Sequence, residues 1–415
     1  MIVPPSVVAI VRCESYERET VARALAQCLE LVGGLSRWVG PGKRVLIKIN
    51  HLGDHAPEEA IIVHPLVTEL LARLCEAQGA EVAVGDGLDR SGLEGFRRSG
   101  TLDASEAAGA TLVNFKGSPY PSVAVRGRFL SQVPVAQAVL DADVVVNLVK
   151  MKTHVLTLLT GAIKNTYGYP PVGLRQSLHR QYASPADFAQ VAVDIFQARP
   201  PDLNLVDAVV GLEGYGPSRG GRPKPMGLLL ASEDAVALDA VLGALMGLDA
   251  GDIATTAVAA ERGLGVGDLA RIDIRGVPLE EARPREFALP ERVMQAEKLL
   301  AALPAPVMRL LRGLSRETMA VPEVVRARCI ACGLCVRHCP TGAAQMLPDR
   351  KAARISRALC ISCFCCQEFC ESDAIRLTHR PLGAAVLSVS AFFQVLRRGL
   401  RRVWRAVTGS RRGRR

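Results

Sequence analysis

Eight cysteines near the end of the chain carry the most specific chemistry in it. Cys329, Cys332, Cys335 and Cys339 are spaced Cys-x2-Cys-x2-Cys-x3-Cys and closed by Pro340, and Cys360, Cys363, Cys366 and Cys370 repeat that spacing 31 residues later. A cubane [4Fe–4S] cluster needs four thiolates converging from different directions, and three on one tight loop do not supply the fourth. Zinc is the competing ion, but its sites draw on separated Cys-x-x-Cys pairs rather than on two fourfold runs. The spacing therefore predicts two [4Fe–4S] clusters. In the second run Glu371 stands where the first has Pro340, and an additional thiol, Cys365, is expected to be a neighbour rather than a ligand. Cys13, Cys28 and Cys75 lie in apolar surroundings and read as packing residues. A dense cysteine block in a long chain points to metal in a reducing compartment, not to disulfides.

A second group of residues reads as a binding site. Only nine of the 51 basic residues are lysine, yet Lys48, Lys150, Lys152 and Lys164 all fall at or near predicted strand ends. Such placement favours lysine's point charge or titratable amine over generic surface charge. From Val144 to Ala186 there is no Asp or Glu, while Lys150, Lys152, Lys164, Arg175, Arg180, His154 and His179 are present. A solvated loop with incidental lysines is the alternative, but an extended backbone would put Lys150, Lys152 and His154 on one face. The expectation is one pocket for an anionic ligand, lined by Lys150, Lys152, His154, Lys164 and Asn165 with Lys48 and Asn50. Lys152, His154 and Lys164 are the candidates for catalysis. Asp86, Asn147, Thr153, Asp207 and Glu213 complete the candidate binding set.

The elements that must position these residues alternate. Strand-like runs at Val7–Val11, Arg44–Ile49, Glu81–Val84, Val144–Val149, Leu203–Val210 and Met226–Leu230 are interleaved with helical runs at Arg18–Leu31, Pro65–Glu76 and Ala235–Met246. This rhythm predicts an α/β domain over residues 1–276 built on a largely parallel sheet, whose ligands bind beyond the carboxyl ends of the strands. Gly85-Asp86-Gly87 lacks the third glycine of a dinucleotide site and reads as a turn. Gly214 to Pro225 reads as a mobile loop, a candidate lid over the site. A helical linker over 277–324 then leads to a small α+β two-cluster ferredoxin-like domain over 325–380 and a tail over 381–415.

Composition bounds the rest. The chain has 415 residues, 49% hydrophobic and 22% charged, which suits a folded globule of two or three domains. No apolar run reaches a membrane-spanning length and Met1 opens no secretory signal, so a cytoplasmic protein is expected. The net charge is +10, but nine arginines lie between Arg397 and Arg415. The body is close to neutral, which argues against nucleic-acid binding. In the tail Phe392, Leu396, Leu400, Val403 and Val407 recur at helical spacing among arginines, predicting a peripheral contact with the anionic inner face of a membrane or with an acidic partner, the alternative being a helix packed on the protein.

Residues 325–380 resemble bacterial two-cluster ferredoxins. That resemblance implies crossed ligation, with Cys329, Cys332, Cys335 and Cys370 on one cluster and Cys360, Cys363, Cys366 and Cys339 on the other. Asn147-Leu-Val-Lys-Met-Lys-Thr-His154, Thr160-Gly-Ala-Ile-Lys-Asn165, Gly211-Leu-Glu-Gly214 with Gly216-Pro217, and Ala237-Leu-Asp-Ala240 resemble the domain-of-unknown-function 362 family over about residues 1–380. The family implies an α/β domain fused to two [4Fe–4S] clusters and names no general reaction. The leading reading is a redox enzyme that relays low-potential electrons between a partner donor or acceptor protein and an anionic small-molecule substrate. The alternative is a non-catalytic electron carrier or cluster-dependent regulator.

Overall fold

The computed structural model describes residues 5–88, 92–182, 184–290, 320–368, 370 and 372–379. Nine strands form one sheet: β1 (Ser6–Arg12), β2 (Arg44–Ile49), β3 (Glu81–Asp86), β4 (Thr111–Asn114), β7 (Val144–His154), β8 (Leu158–Thr160), β9 (Leu203–Gly214), β10 (Gly221–Ser232) and β11 (Ile272–Gly276). Their order is β11-β1-β10-β9-β7-β2-β3-β4, with β8 also on β7. The run β9-β7-β2-β3-β4 is parallel, as is β1-β11, while β10 lies antiparallel to both its neighbours. A separate hairpin joins β5 (Ser122–Ala124) to β6 (Gln132–Pro134).

All eleven residues of β7 are buried, as expected for a central strand covered on both faces. Val144, Val146 and Leu148 pack in one core with the helices Arg18–Leu31 and Pro65–Glu76. Val149 and Met151 enter the core built around the helix Ala235–Leu245, and Val145 the one around Pro185–Ala198. The period-two alternation of an apolar strand thus sorts its side chains between two helical layers.

The helices Arg18–Leu31 and Pro65–Glu76 and the strand Arg44–Ile49 have the boundaries their patterning predicts. β7 runs on through His154 instead of ending at Val149, and β9 runs to Gly214. The glycine- and proline-rich stretch after Gly214 is only partly loop. Gly221–Pro225 pairs with Val210–Gly214 as the arm of a β9–β10 hairpin, so its backbone groups are held by the neighbouring strand. In the C-terminal domain β12 (Ala320–Val324) pairs with β15 (Ile375–His379), and β13 (Ala344–Met346) with β14 (Ala353–Ile355). The predicted helical stretches at 291–302 and 306–314 and the tail from 381 lie outside the described residues. Among the described residues no helix is long and apolar enough to cross a membrane.

Two buried charges lock the sheet end. Lys150 Nζ lies 2.9 Å from Asp207 Oδ2 and donates to Tyr16 Oη at 2.7 Å, while Tyr16 donates to Asp207 Oδ1 at 2.9 Å. The His64 backbone N–H also donates to Asp207, and the His64 ring stacks on Tyr16. One carboxylate thereby joins β7, β9 and the starts of two helices. Burial lowers the Lys150 pKa and Asp207 pulls it back.

Asp239, on the Ala235–Leu245 helix, accepts from the backbone N–H groups of Ala162 at 2.6 Å and Ile163 at 3.1 Å. It fixes the start of the Ala162–Asn165 turn. Gly161 is required there, because a Cβ would sit 2.1 Å from Asp239 Oδ1. Burial pushes the Asp239 carboxyl up to about 7 although both N–H groups act to lower it.

Lys150→Met should leave Asp207 buried without its cation and cost about 3–5 kcal/mol in denaturant unfolding, with part of the loss recovered by adding Asp207→Asn. Unchanged stability would separate this pair from the integrity of the sheet. Asp239 has a folded pKa above its unfolded value, so its contribution is fully present below about pH 4 and is lost as pH rises through about 7. Asp239→Asn keeps an acceptor oxygen without the charge. Its stability relative to wild type should rise by about 1–3 kcal/mol between pH 5 and pH 8 in thermal or denaturant melts, and a pH-independent difference would contradict the buried charge.

Candidate functional site

Beyond the carboxyl ends of β2, β3 and β7 lies a cavity of about 160 Å³. Lys48 and Asn50 reach it from β2, Asp86 from β3, and Lys152 and His154 from β7, while Lys164 and Asn165 close it from the turn that Asp239 holds. The opposite wall is the helix Val172–Gln181 with Arg175, Gln176 and His179, together with Cys365 and Cys370 of the C-terminal domain. The two domains meet across it. Gln176 Nε2 hydrogen-bonds His338 Nδ1, and Gln367 packs against Gly220.

Lys48 is fully buried and its ammonium sits 3.1 Å from Asp86 Oδ1, also donating to the Ile49 carbonyl at 2.7 Å. Burial lowers its pKa, Asp86 opposes that, and Arg175 adds to it. Gly168 passes so close over this pair that a Cβ would stand 2.9 Å from Asp86 Oδ1. Asp86 also accepts from the backbone N–H groups of His51 and Gly87.

Four asparagines form a directed relay behind the cavity. Asn147 Nδ2 donates to the Ala162 carbonyl at 3.0 Å and to Asn204 Oδ1 at 2.9 Å. Asn165 Nδ2 donates to Asn147 Oδ1 at 2.7 Å, and Asn165 Oδ1 in turn accepts from Asn50 Nδ2 at 2.9 Å and Lys48 Nζ at 3.3 Å.

His154 and His51 are held in defined tautomers. His154 Nδ1 accepts from the backbone N–H groups of Leu156 and Thr157, so the neutral ring carries its proton on Nε2. His51 Nδ1 accepts from Gly53 while its Nε2 meets Ser99 Oγ at 2.8 Å, and burial holds its pKa down at about 3. His179, stacked on Phe188 and edge-on to Tyr167, is lowered to about 3 by burial, with Lys164 and Arg175 adding to it. Lys164 lies 4.4 Å from the centre of the Tyr167 ring, a cation–π contact. Lys152 Nζ donates to the Ile61 carbonyl at 2.7 Å.

Of the residues expected here, Lys48, Asn50, Asp86, Lys152, His154, Lys164 and Asn165 come together. Lys150 and Asp207 do not line the cavity. Lys150 lies on the face of β7 covered by Tyr16 and His64, and Lys152, one pleat further on, clears that cover. Asn147 stands behind the wall in the relay. Thr153 points the other way, accepting from Gly216 N at 3.2 Å and donating to the Leu212 carbonyl. Glu213 is tied to Arg222 and the Ala288 N–H. Sequence reasoning passed over His51, His55 and Thr160 as lining residues. The signal for the two histidines was their place directly after the β2 strand end.

The C-terminal cysteine loops repeat in conformation as well as in spacing. Ala331, Gly333 and Gly342 have positive φ (57°, 71° and 67°), and so do Ser362, Phe364 and Asp373 at the positions 31 residues on (53°, 62° and 47°). A bulky residue such as Phe364 adopts this region only where its surroundings enforce it. The backbone N–H of Ala344 points to Cys339 Sγ at 3.3 Å, Ser362 N to Cys360 at 3.4 Å, and Ala374 N to Cys370 at 3.2 Å. Burial first, then Cys370, Cys329 and Cys332, push the Cys335 thiol up to about 11, while Cys363 and Cys339 are among the groups acting on Cys360. Cys370 thus lies within electrostatic reach of the first run and Cys339 within reach of the second. Among the described residues no three His, Cys, Asp or Glu side chains are gathered as round a single metal ion. Cysteine loops with backbone N–H donors aimed at sulfur fit the ligand chemistry of a [4Fe–4S] cluster. Cys365 is buried, with Sγ 3.9 Å from the Cys363 carbonyl, and lines the cavity.

Residues 45–243 match the domain of unknown function DUF362, and residues 322–371 match a 4Fe-4S dicluster domain. A thylakoid-associated protein of Synechocystis sp. is 32% identical over 259 residues, spanning 62% of this chain and 79% of that protein. The lactate racemase apoprotein from Thermoanaerobacterium thermosaccharolyticum superposes with a TM-score of 0.36 at 12% identity, covering 54% of each chain, so the chain spans about half of that structure. With the relative covered over most of its length and both domain types matched, the chain belongs to the DUF362 family and is an iron-sulfur protein with a C-terminal [4Fe–4S] ferredoxin-type domain.

Proposed function

We propose that the chain holds two [4Fe–4S] clusters through crossed ligation and exchanges low-potential electrons with an anionic small molecule bound between its domains. The observation that carries this reading is the shared wall: one cavity is lined by Lys48, Lys152, Lys164 and Arg175 and, on its far side, by Cys365 and the ligand candidate Cys370. When bound, the clusters supply single electrons of low potential. The lysines and Arg175 hold the anion and set its orientation. His154, its Nδ1 occupied by backbone donors, presents its Nε2–H as a hydrogen-bond donor to the anion, and the buried walls keep water from the reacting atoms. Ile330 is 63% exposed beside the exposed Cys332, which supports that face as the meeting point with an electron donor or acceptor protein.

The nine arginines beyond residue 396, together with the thylakoid-associated relative, support a peripheral contact with an anionic membrane surface.

Anaerobic reconstitution should load about eight iron and eight sulfide per chain, and Cys370→Ala should perturb the spectrum of the cluster held by Cys329, Cys332 and Cys335. Stoichiometric zinc in place of iron, or damage confined to each mutant's own run, would overturn the ligand scheme. In the same holoprotein Lys152→Ala should weaken binding of phosphate or acetate by about tenfold or more at unchanged iron content, and equal affinity would remove the lysine from the site. Truncation after His379 should abolish salt-sensitive binding to phosphatidylglycerol vesicles while keeping iron content. Equal binding by the truncated and full chains would retire the membrane contact.

A further inference from the structure

The polarity of the asparagine relay constrains what the cavity accepts. The Ala162 carbonyl can only accept, so Asn147 turns its Nδ2 toward it and its Oδ1 toward Asn165. Asn165 therefore gives its Nδ2 to Asn147 and keeps its Oδ1 for the other side, where Lys48, an ammonium that can only donate, reaches it. With that oxygen already facing Lys48, Asn50 meets it with Nδ2. Both ends of the chain are anchored by groups with one possible role, so no amide in it can flip without opposing two like groups.

The last member is left with an acceptor to place. Asn50 is 7% exposed, it lines the cavity, and its Oδ1 has no hydrogen-bond partner in the protein. A buried carbonyl oxygen left without a donor costs about 1–3 kcal/mol, a penalty that a suitable ligand removes. Across the same cavity Arg175 Nε is a buried donor also without a partner. Two residues of the cavity wall thus carry an unmet acceptor, at Asn50, and an unmet cationic donor, at Arg175, each enclosed by protein, so that a ligand meets them as the side chains turn toward it.

We propose that the ligand of this cavity is a small anion bearing an O–H or N–H donor near its charged group, such as a hydroxycarboxylate, with the donor bound by Asn50 Oδ1 and the anionic oxygens facing Arg175 and the lysines. This rests on the anionic-pocket reading above and sharpens it: charge alone selects any small anion, and Asn50 selects among anions. A cavity of about 160 Å³ suits a ligand with a few carbon atoms around those groups.

The test uses the full chain with its clusters reconstituted and three probes titrated calorimetrically: acetate, glycolate and methoxyacetate. Glycolate carries the donor, acetate is smaller without it, and methoxyacetate replaces the hydroxyl by an ether. Glycolate should bind about tenfold tighter than either. Asn50→Leu, similar in size and without the acceptor, should bring the three affinities together at wild-type iron content, and Asn50→Ala should do the same if the leucine variant fails to fold. Glycolate and methoxyacetate binding equally to wild type would overturn the proposal while leaving the anionic pocket standing. So would a glycolate preference that survives in a folded Asn50 variant. Failure of all three probes and of phosphate to bind wild type would overturn the pocket reading itself.

Discussion

A lysine ammonium buried at the end of β2 is the constraint around which the site is built. Removed from water, the Lys48 charge must be neutralised and its three donor positions satisfied by the protein. Asp86 supplies the countercharge from the adjacent strand, the Ile49 carbonyl and Asn165 Oδ1 supply the acceptors, and Gly168 leaves room for the pair by having no side chain. Each partner comes from a different segment. The parallel pairing of β2 with β3 and β7 puts Asp86 and the Asn147 relay within reach, and the Asp239-capped turn delivers Asn165. Shifting any of these segments would leave a charge or an amide unsatisfied in the interior, so the network pins the cavity walls in place.

Lys150 shows the same cost met for a different purpose. It too is buried against an aspartate, but its partners Tyr16 and Asp207 hold it on the helix-covered face, and none of the three lines the cavity. Two residues on, Lys152 escapes that cover and reaches the cavity. The difference between a structural and a site lysine on one strand is therefore where the helices stop.

That distinction explains what the sequence made legible. Strand and helix alternation, and the boundaries of Arg18–Leu31, Arg44–Ile49 and Pro65–Glu76, follow from local apolar periodicity, which is written residue by residue. The gathering of Lys48, Asn50, Lys152, His154, Lys164 and Asn165 was readable because all lie at or just past strand ends. The exclusion of Lys150, Thr153 and Glu213 was not, because it depends on which helix or hairpin covers each side chain, a long-range property. The β9–β10 hairpin was hidden for a related reason: glycine and proline at 214–225 mimic a loop in composition, while the pairing that makes it a strand lies in the partner. His51 escaped notice because it is buried against Phe96 and Ser99, which are remote from it in sequence.

The C-terminal domain supplies the last wall, and its position gives the repeated loops a second role. Positive φ angles at matched positions in both runs wrap backbone N–H groups toward the sulfurs, and the same winding carries Cys365 and Cys370 to the cavity. In the second run Phe364 occupies the left-handed position where the first run has Gly333, so the loop next to the cavity is the more strained and the more buried of the two: Cys363, Cys365 and Cys366 are buried, whereas Cys332 is exposed. The two halves of an internal repeat have thus diverged in surroundings while keeping their ligand spacing. The first run is the more open, with Cys332 exposed, although its His338 still meets Gln176 of the α/β domain, while the second run turns Cys365 and Cys370 to the cavity wall, so a spacing repeated residue for residue serves two different surroundings.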